Sequence, residues 1–447
     1  MNQLIAALRR LTWVVLILTL VGSRAASASL RIQITRGIRV ATPIAIIPFA
    51  WEVPGPKNVA VANVIAHDLS RTGLFKALPR HDLIQHPTRP GQINFLNWKA
   101  LGMDYLVIGH IQPRQKGPGW MLVFHLYNVP AENQILAYAV PTDPKQLRLT
   151  AHYVSDLIFQ NLTDQQAPFT SRIAYVVESR ARGLRHRYRL MVADYDGHHA
   201  EAVFRSGHPI VSPSFSPRGN RIAYVSFESG FPAIYVQNLK TGQRRRVLAR
   251  AGLNETPVFT PGGHGLLVTV SGSGGSAEIG RLDLQNGSLR MLTHAPGINT
   301  EPAWFPGGRR MAFTSDRGGT AEIYVKHLHS GRTHRLTFKG HYNAAPAISL
   351  TGAFIAYVAR RDGLLRIARM NLKTGLIRIL TRGPLDDSPS FAPGGALILF
   401  SAWQRGRRIL ETASTRGHAI WPVRIPLGPA DSVTTPVWGP DLPGTPH

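Results

Sequence analysis

One phrase, returning six times in the second part of the chain, governs what this sequence can fold into. It stands as PSFSPRG at Pro213, PVFTPGG at Pro257, PAWFPGG at Pro302, PAISLTG at Pro346, PSFAPGG at Pro389 and PVWGPDL at Pro436. The copies are spaced by 44, 45, 44, 43 and 47 residues, the period of a four-stranded propeller blade. A second phrase is an apolar strand: RIAYVV at Arg172, RIAYVS at Arg221, LLVTVS at Leu266, MAFTSD at Met311, FIAYVA at Phe354 and LILFSA at Leu397. Third and fourth strands follow, separated by Gly-containing turns of the kind that hairpins need.

The ends of the repeat are out of step. The copy at Arg172 has no first phrase in front of it, and the copy at Pro436 has no second phrase behind it. The spacing therefore predicts a six-bladed β-propeller over residues 166–447. One blade combines strands near 172–205 with a last strand near 434–439. Closing the ring this way removes the open sheet edge that invites aggregation.

Residues 29–165 lack the repeat and read as an α/β domain. LRIQIT and PIAIIPF are expected strands. NVAVANVIAHDLS, residues 58–70, has helical spacing, with Asn58 as N-cap and Gly73 as stop. DYLVIGHI and MLVFHLYNV are expected strands around a Gly-Pro-Gly turn. Residues 144–162 are an expected helix with Asp143 as cap. Residues 1–28 read as a signal peptide. Arg9 and Arg10 precede the apolar LTWVVLILTLV, and Ala26-Ser27-Ala28 supplies the cleavage pattern, so export of the chain is expected. No apolar run reaches the ~18 residues of a membrane span. The chain has no Cys, so packing alone must hold it.

The sequence has no catalytic signature. No G-x-S-x-G elbow, Walker A loop or dinucleotide fingerprint occurs. His327 and His329 would share a strand face, but no HExxH or comparable ligand set accompanies them. Asp386 and Asp387 are adjacent in a strand and point to opposite faces, against a joint acid–base role. No cofactor is expected. The net charge is +26, most of the excess falling in the repeat region. On an exported chain this suits an anionic surface, such as outer-membrane lipid or an acidic protein, rather than nucleic acid. A solubility role explains the charge equally.

The residues before each repeat Pro fall where the innermost strand meets the axial channel. The pairs are Val211-Ser212, Glu255-Thr256, Thr300-Glu301, Ala344-Ala345, Asp387-Ser388 and Thr434-Thr435. They are hydroxyl, small or acidic, and none is basic. Such a mouth suits the N–H, Lys or Arg donors of a docked loop. A narrow, wet axis would accept the same residues.

Specific stretches resemble the TolB family, the periplasmic propeller proteins of the Tol–Pal system. They include Ile32, Ile34 and Gly37; Asp68, Leu69, Gly73 and Phe75; and Trp98, Ala100, Leu101, Gly102 and Asp104. In the repeats they include Arg172–Val176, Asp194–Gly197, Phe227–Gly230, Asn299–Pro306 and Ala312–Asp316. The resemblance covers essentially the whole chain after residue 28. It implies a non-enzymatic monomer that links the inner-membrane Tol complex to the peptidoglycan-associated lipoprotein Pal. The implied roles are outer-membrane integrity and inward movement of that membrane at division.

The resemblance implies that TolA binds the N-terminal segment, here Leu30, Arg31, Ile32, Gln33, Ile34 and Thr35. It also implies that Pal docks at the mouth, at Leu253, Thr256 and Thr300, with Ser212, Glu255, Glu301, Asp387, Ser388 and Thr435 around them. The family often has His where Leu253 stands, and acidic residues where Arg31, Thr35 and Arg36 stand. Arg218, Gly262, Gly307 and Gly394 replace a common turn Asp. Other readings of the chain are a propeller hydrolase acting on envelope peptide or polysaccharide, and an anionic lipid- or lipopolysaccharide-binding surface.

Overall fold

The computed structural model describes residues 41–441, apart from 56, 58, 181–185, 273–274, 295–296 and 417–418. The signal peptide, the LRIQIT strand, the Asn58 cap and the Leu30–Thr35 segment lie outside the described residues.

The α/β domain is built on a six-stranded sheet. Its strands are β1 (Thr42–Ile46), β2 (Ala50–Trp51), β3 (Phe75–Ala77), β4 (Tyr105–Pro113), β5 (Trp120–Asn128) and β6 (Asn133–Thr142). The order is β3-β1-β4-β5-β6, with β2 also on β4. β1 is parallel to both neighbours, and β4, β5 and β6 form an antiparallel meander. Helices α1 (Val61–Arg71) and α3 (Leu147–Thr163) cover one face through Val64, Ile65, Leu69, Val154 and Ile158, all buried. The short helix α2 (Phe95–Ala100) buries Trp98 on the other face.

Helix starts differ from expectation. α1 begins at Val61 behind Ala60, which offers no capping side chain. α3 begins at Leu147, because Asp143 Oδ1 accepts the N–H groups of Lys145 (2.7 Å) and Gln146 (3.0 Å) and holds a turn ahead of the helix. Strand β6 was not anticipated. It lies at a sheet edge with mixed exposure along both faces, so its pattern carries no clean alternation.

The propeller has six four-stranded antiparallel sheets. Blades one to five occupy residues 210–248, 254–291, 299–335, 343–379 and 387–422. The sixth is the split blade: Asp431–Asp441 is innermost, against Ser171–Ser179, Arg187–Asp194 and Glu201–Ser206. The closing strand registers Val433 against Val177, and Trp438 against Ile173. Trp438 Nε1 donates to Ser171 Oγ at 2.6 Å, and its ring stacks near Tyr195 at 6.2 Å. The C-terminal strand thus locks both the ring and the start of the propeller.

The repeated Pro and Gly have a joint packing role. Gly263, Gly308 and Gly352 have φ of +74°, +66° and +68°, a region costly for residues with a Cβ. Each also packs against the turn Pro of the preceding blade, at Pro217, Pro261 and Pro306.

Each blade directs its turns to two faces. Connections between strands one and two, and between three and four, emerge on the face away from the channel-mouth pairs. The α/β domain sits on this turn face. Ser414 Oγ, at the end of blade five's third strand, donates to Thr72 O. Arg71 reaches Pro422 O at 3.5 Å. Between the domains lies a buried charge cluster. His152 Nδ1 meets Asp68 Oδ2 at 2.8 Å and its Nε2 lies 3.3 Å from Asp196 Oδ2. Tyr195 donates to Asp68, and Arg148 pairs with Asp196.

Candidate docking face at the propeller mouth

The residue before every repeat Pro is left-handed. Ser212, Thr256, Glu301, Ala345, Ser388 and Thr435 have φ between 45° and 54°. Non-glycine residues are uncommon in this region, and a following Pro restricts the backbone further. At each position the ladder to the second strand shifts register, between Val211 and Ser214 in blade one and between Thr434 and Val437 in the split blade. These are β-bulges, which re-aim side chains and end regular pairing. Six copies at one height form a ring of strained backbone, and such strain gathers at functional surfaces.

The side chains of the ring are linked across blades. Thr256 and Thr269 share a hydrogen bond at 2.6 Å, and Thr269 lies 3.4 Å from the Thr300 hydroxyl. Glu301 Oε2 accepts from Thr314 Oγ1 at 2.7 Å and from Ala345 N at 2.8 Å, joining blade three to blade four. Burial pushes the Glu301 carboxyl up, the Thr314 and Ala345 donors work against this, and the charges of Asp387 and Glu255 add to the rise. Carboxylates from three blades therefore sense one another.

The other mouth residues vary. Asp387 accepts the Ser388 N–H at 2.6 Å. Its other oxygen lies 3.5 Å from Arg408 Nη1. The pairs themselves carry no basic residue, but they cover only innermost strands, and Arg408 reaches over from the third strand of blade five. Among the described residues, the buried Thr435 Oγ1 has no hydrogen-bond partner. Leu253 sits in the connection into blade two, half-buried, with its N–H donating to Ser271 Oγ at 2.8 Å. Ser212 and Glu255 are half-buried on the same ring.

Sequence reasoning missed an apolar rim. Phe231, Ile298, Phe338 and Trp403 lie on connections or hairpin ends of the mouth face and are 74%, 54%, 72% and 40% exposed. The Arg335 guanidinium lies 5.2 Å from the Phe338 ring. Aromatic anchors beside polar groups are common at protein interfaces. The signal was present as large apolar residues inside Gly- and Pro-rich turns, where no core requires them.

The histidine pair takes another arrangement. The strand ends at His327, and His329 stands in the turn. The His327 ring instead lies 5.8 Å from that of His334. Asp386 is buried and its Oδ2 accepts the Gly383 N–H at 3.2 Å, whereas Asp387 faces the mouth.

A closed propeller with a strained mouth on one face and an α/β domain on the other defines a class of two-domain propeller proteins. Residues 159–442 match the family described as TolB beta propeller domain, and residues 30–135 match the TolB amino-terminal domain. The chain belongs to the TolB family.

Among its relatives is the Tol-Pal system protein TolB of Methylococcus capsulatus, 44% identical over 95% of this chain and 97% of the relative. That of Pseudomonas entomophila is 40% identical over 97% and 100%. The match to the Thioalkalivibrio sulfidiphilus protein, 40% identical, spans 51% of this chain and about half of that relative, 52%. The crystal structure of TolB from Acinetobacter baumannii superposes with a TM-score of 0.81 at 35% identity, covering 90% of this chain and 97% of that one. Its place is thus in the Tol–Pal system. Among the described residues no helix is long and apolar enough to cross a membrane.

Proposed function

We propose that the protein is a non-enzymatic periplasmic adaptor that takes a Pal-like lipoprotein at the propeller mouth and a TolA-like protein on its N-terminal segment. In this reading residues 1–28 are removed on export, residues 29–165 form the α/β domain and residues 166–447 form the propeller. The ring of six left-handed bulges carries the reading for the mouth. It presents Thr256, Thr300 and the Glu301 carboxylate as acceptors at a fixed height, inside a rim of Phe231, Ile298 and Phe338. A loop bringing backbone N–H groups, Lys or Arg, with one apolar anchor, complements that surface. Ser212, Leu253, Glu255, Asp387, Ser388 and Thr435 complete it.

Such an adaptor can join an inner-membrane complex to a lipoprotein of the outer membrane and transmit pull during division.

Deleting residues 29–37 tests the division of labour. The shortened protein is expected to lose capture of a TolA-like protein and keep its affinity for a Pal-like lipoprotein. Retained TolA capture would refute the assignment of that segment.

A further inference from the structure

The turn face of blades one to four is basic. Its eight turns occupy residues 216–220, 239–243, 260–264, 284–288, 305–309, 328–332, 349–353 and 372–376. They contain Arg218, Lys240, Arg309, Arg332 and Lys373, all exposed, and no Asp or Glu. Asp283, at the strand end just before one of these turns, is turned back on its own hairpin, accepting the N–H groups of Gln285 (2.8 Å) and Asn286 (3.1 Å). The mouth face, by contrast, carries Glu228, Asp316 and Asp362 among its basic residues. The positive charge is thus polarised along the propeller axis.

Two leucines stand at the tips of this basic face. Leu350 occupies the position held by Pro217, Pro261, Pro306, Pro393 and Pro440 in the other blades. Leu376 occupies the position held by Gln243, Ser288 and Arg332. They are 62% and 64% exposed. Both belong to blade four, and their turns are tied by Leu372 N donating to Ala353 O at 2.9 Å. Lys373 stands beside one of them, and Arg309 and Arg332 lie on the turns of the neighbouring blade. A lone exposed Leu needs no explanation. Two on joined turns, flanked only by cations, match the pattern of an interfacial membrane contact: apolar tips for the acyl boundary and cations for the headgroups.

We propose that the turn face of blades one to four docks on an anionic phospholipid surface, with Leu350 and Leu376 entering it and Arg309, Arg332 and Lys373 binding its phosphates. Among the described residues, the α/β domain meets this face through the split blade and blade five. The mouth points the other way, so this contact is separate from the adaptor reading.

Vesicle sedimentation with the full mature chain tests it. Phosphatidylcholine vesicles with phosphatidylglycerol should bind the protein, and pure phosphatidylcholine vesicles should not. Raising the salt should weaken binding, since exposed charges are screened. The double variant L350S/L376S should lose about tenfold in partition, and R309Q/R332Q/K373Q should lose at least as much. Both variants should keep the thermal midpoint and the capture of a Pal-like lipoprotein, which separates this result from any failure at the mouth. Absence of binding to phosphatidylglycerol vesicles overturns the proposal. So does full binding by L350S/L376S, because non-specific attraction of a basic protein needs no leucines.

Discussion

At the residue scale, His152 is the most consequential buried group. It is fully buried between Asp68 and Asp196. Burial alone would lower its pKa, but the Asp68 charge and the hydrogen bonds to Asp196 and Asp68 overcome this and raise it to about 10. Burial alone would raise Asp196, yet hydrogen bonds from His152 and His198 hold its carboxyl far below the usual range. A raised folded pKa on His stabilises below the ordinary value of 6.5, and this contribution is lost as pH rises through about 10. The Asp196 contribution is present above the ordinary carboxylate range and is lost as pH falls below it. His152→Gln should therefore flatten the decline of the thermal midpoint between about pH 6.5 and 10. Breaking a buried pair leaves a charge uncompensated and costs about 3–5 kcal/mol, readable in denaturant unfolding at pH 7. An unchanged pH profile would show that His152 is not the titrating group. Sequence reading named Asp68, Tyr195 and Asp196 only as parts of family stretches, because their convergence needs helix α1, helix α3 and a propeller turn brought together in space.

At the element scale, the blades are pinned to one another by a device the repeat phrases only half displayed. Glu278 accepts from Thr293 and from Asn299 Nδ2 (3.2 Å) of the next blade. Glu322 repeats this with Thr337 and with Asn343 Nδ2 at 2.8 Å. Both glutamates are buried with their partners, as buried charge requires. Strand order and ring closure were legible because four-stranded blades recur at a fixed period and the out-of-step ends admit only one way to close the circle. Helix starts were less legible, since a capping side chain is one local choice among several.

Closure makes its own prediction. Removing residues 431–447 deletes the strand that pairs with Ser171–Ser179 and contributes Trp438 to the core. The shortened protein should lose cooperative unfolding and aggregate, measured by calorimetry and light scattering. A truncated chain that still melts as one unit would show the ring does not depend on its last strand.

At the scale of the whole molecule, the placement of charge and domains distinguishes two faces of the propeller. The six mouth positions were legible from the repeat phase, because one residue before each Pro must fall at the same height. Their left-handed backbone was not, since Ser, Thr, Glu and Ala in front of Pro ordinarily read as extended. Arg408 and the apolar rim were hidden for a related reason: they come from other strands and turns, and adjacency across a ring is not adjacency in the chain. The overall positive charge was visible in composition, but its concentration on the turn face of blades one to four depends on which turns share a face.

Docking of a lipoprotein at the mouth, as proposed, is tested by Thr300→Arg. Thr300 is half-buried on the ring and close to the Thr256–Thr269 hydroxyl pair, so an arginine there places a cation and a long side chain where donors of the partner would enter. Surface plasmon resonance with the soluble domain of a Pal-like lipoprotein should show affinity reduced by about a hundredfold or more, with thermal stability and TolA-like capture retained. Undiminished affinity in a folded Thr300→Arg protein would rule out docking at the mouth.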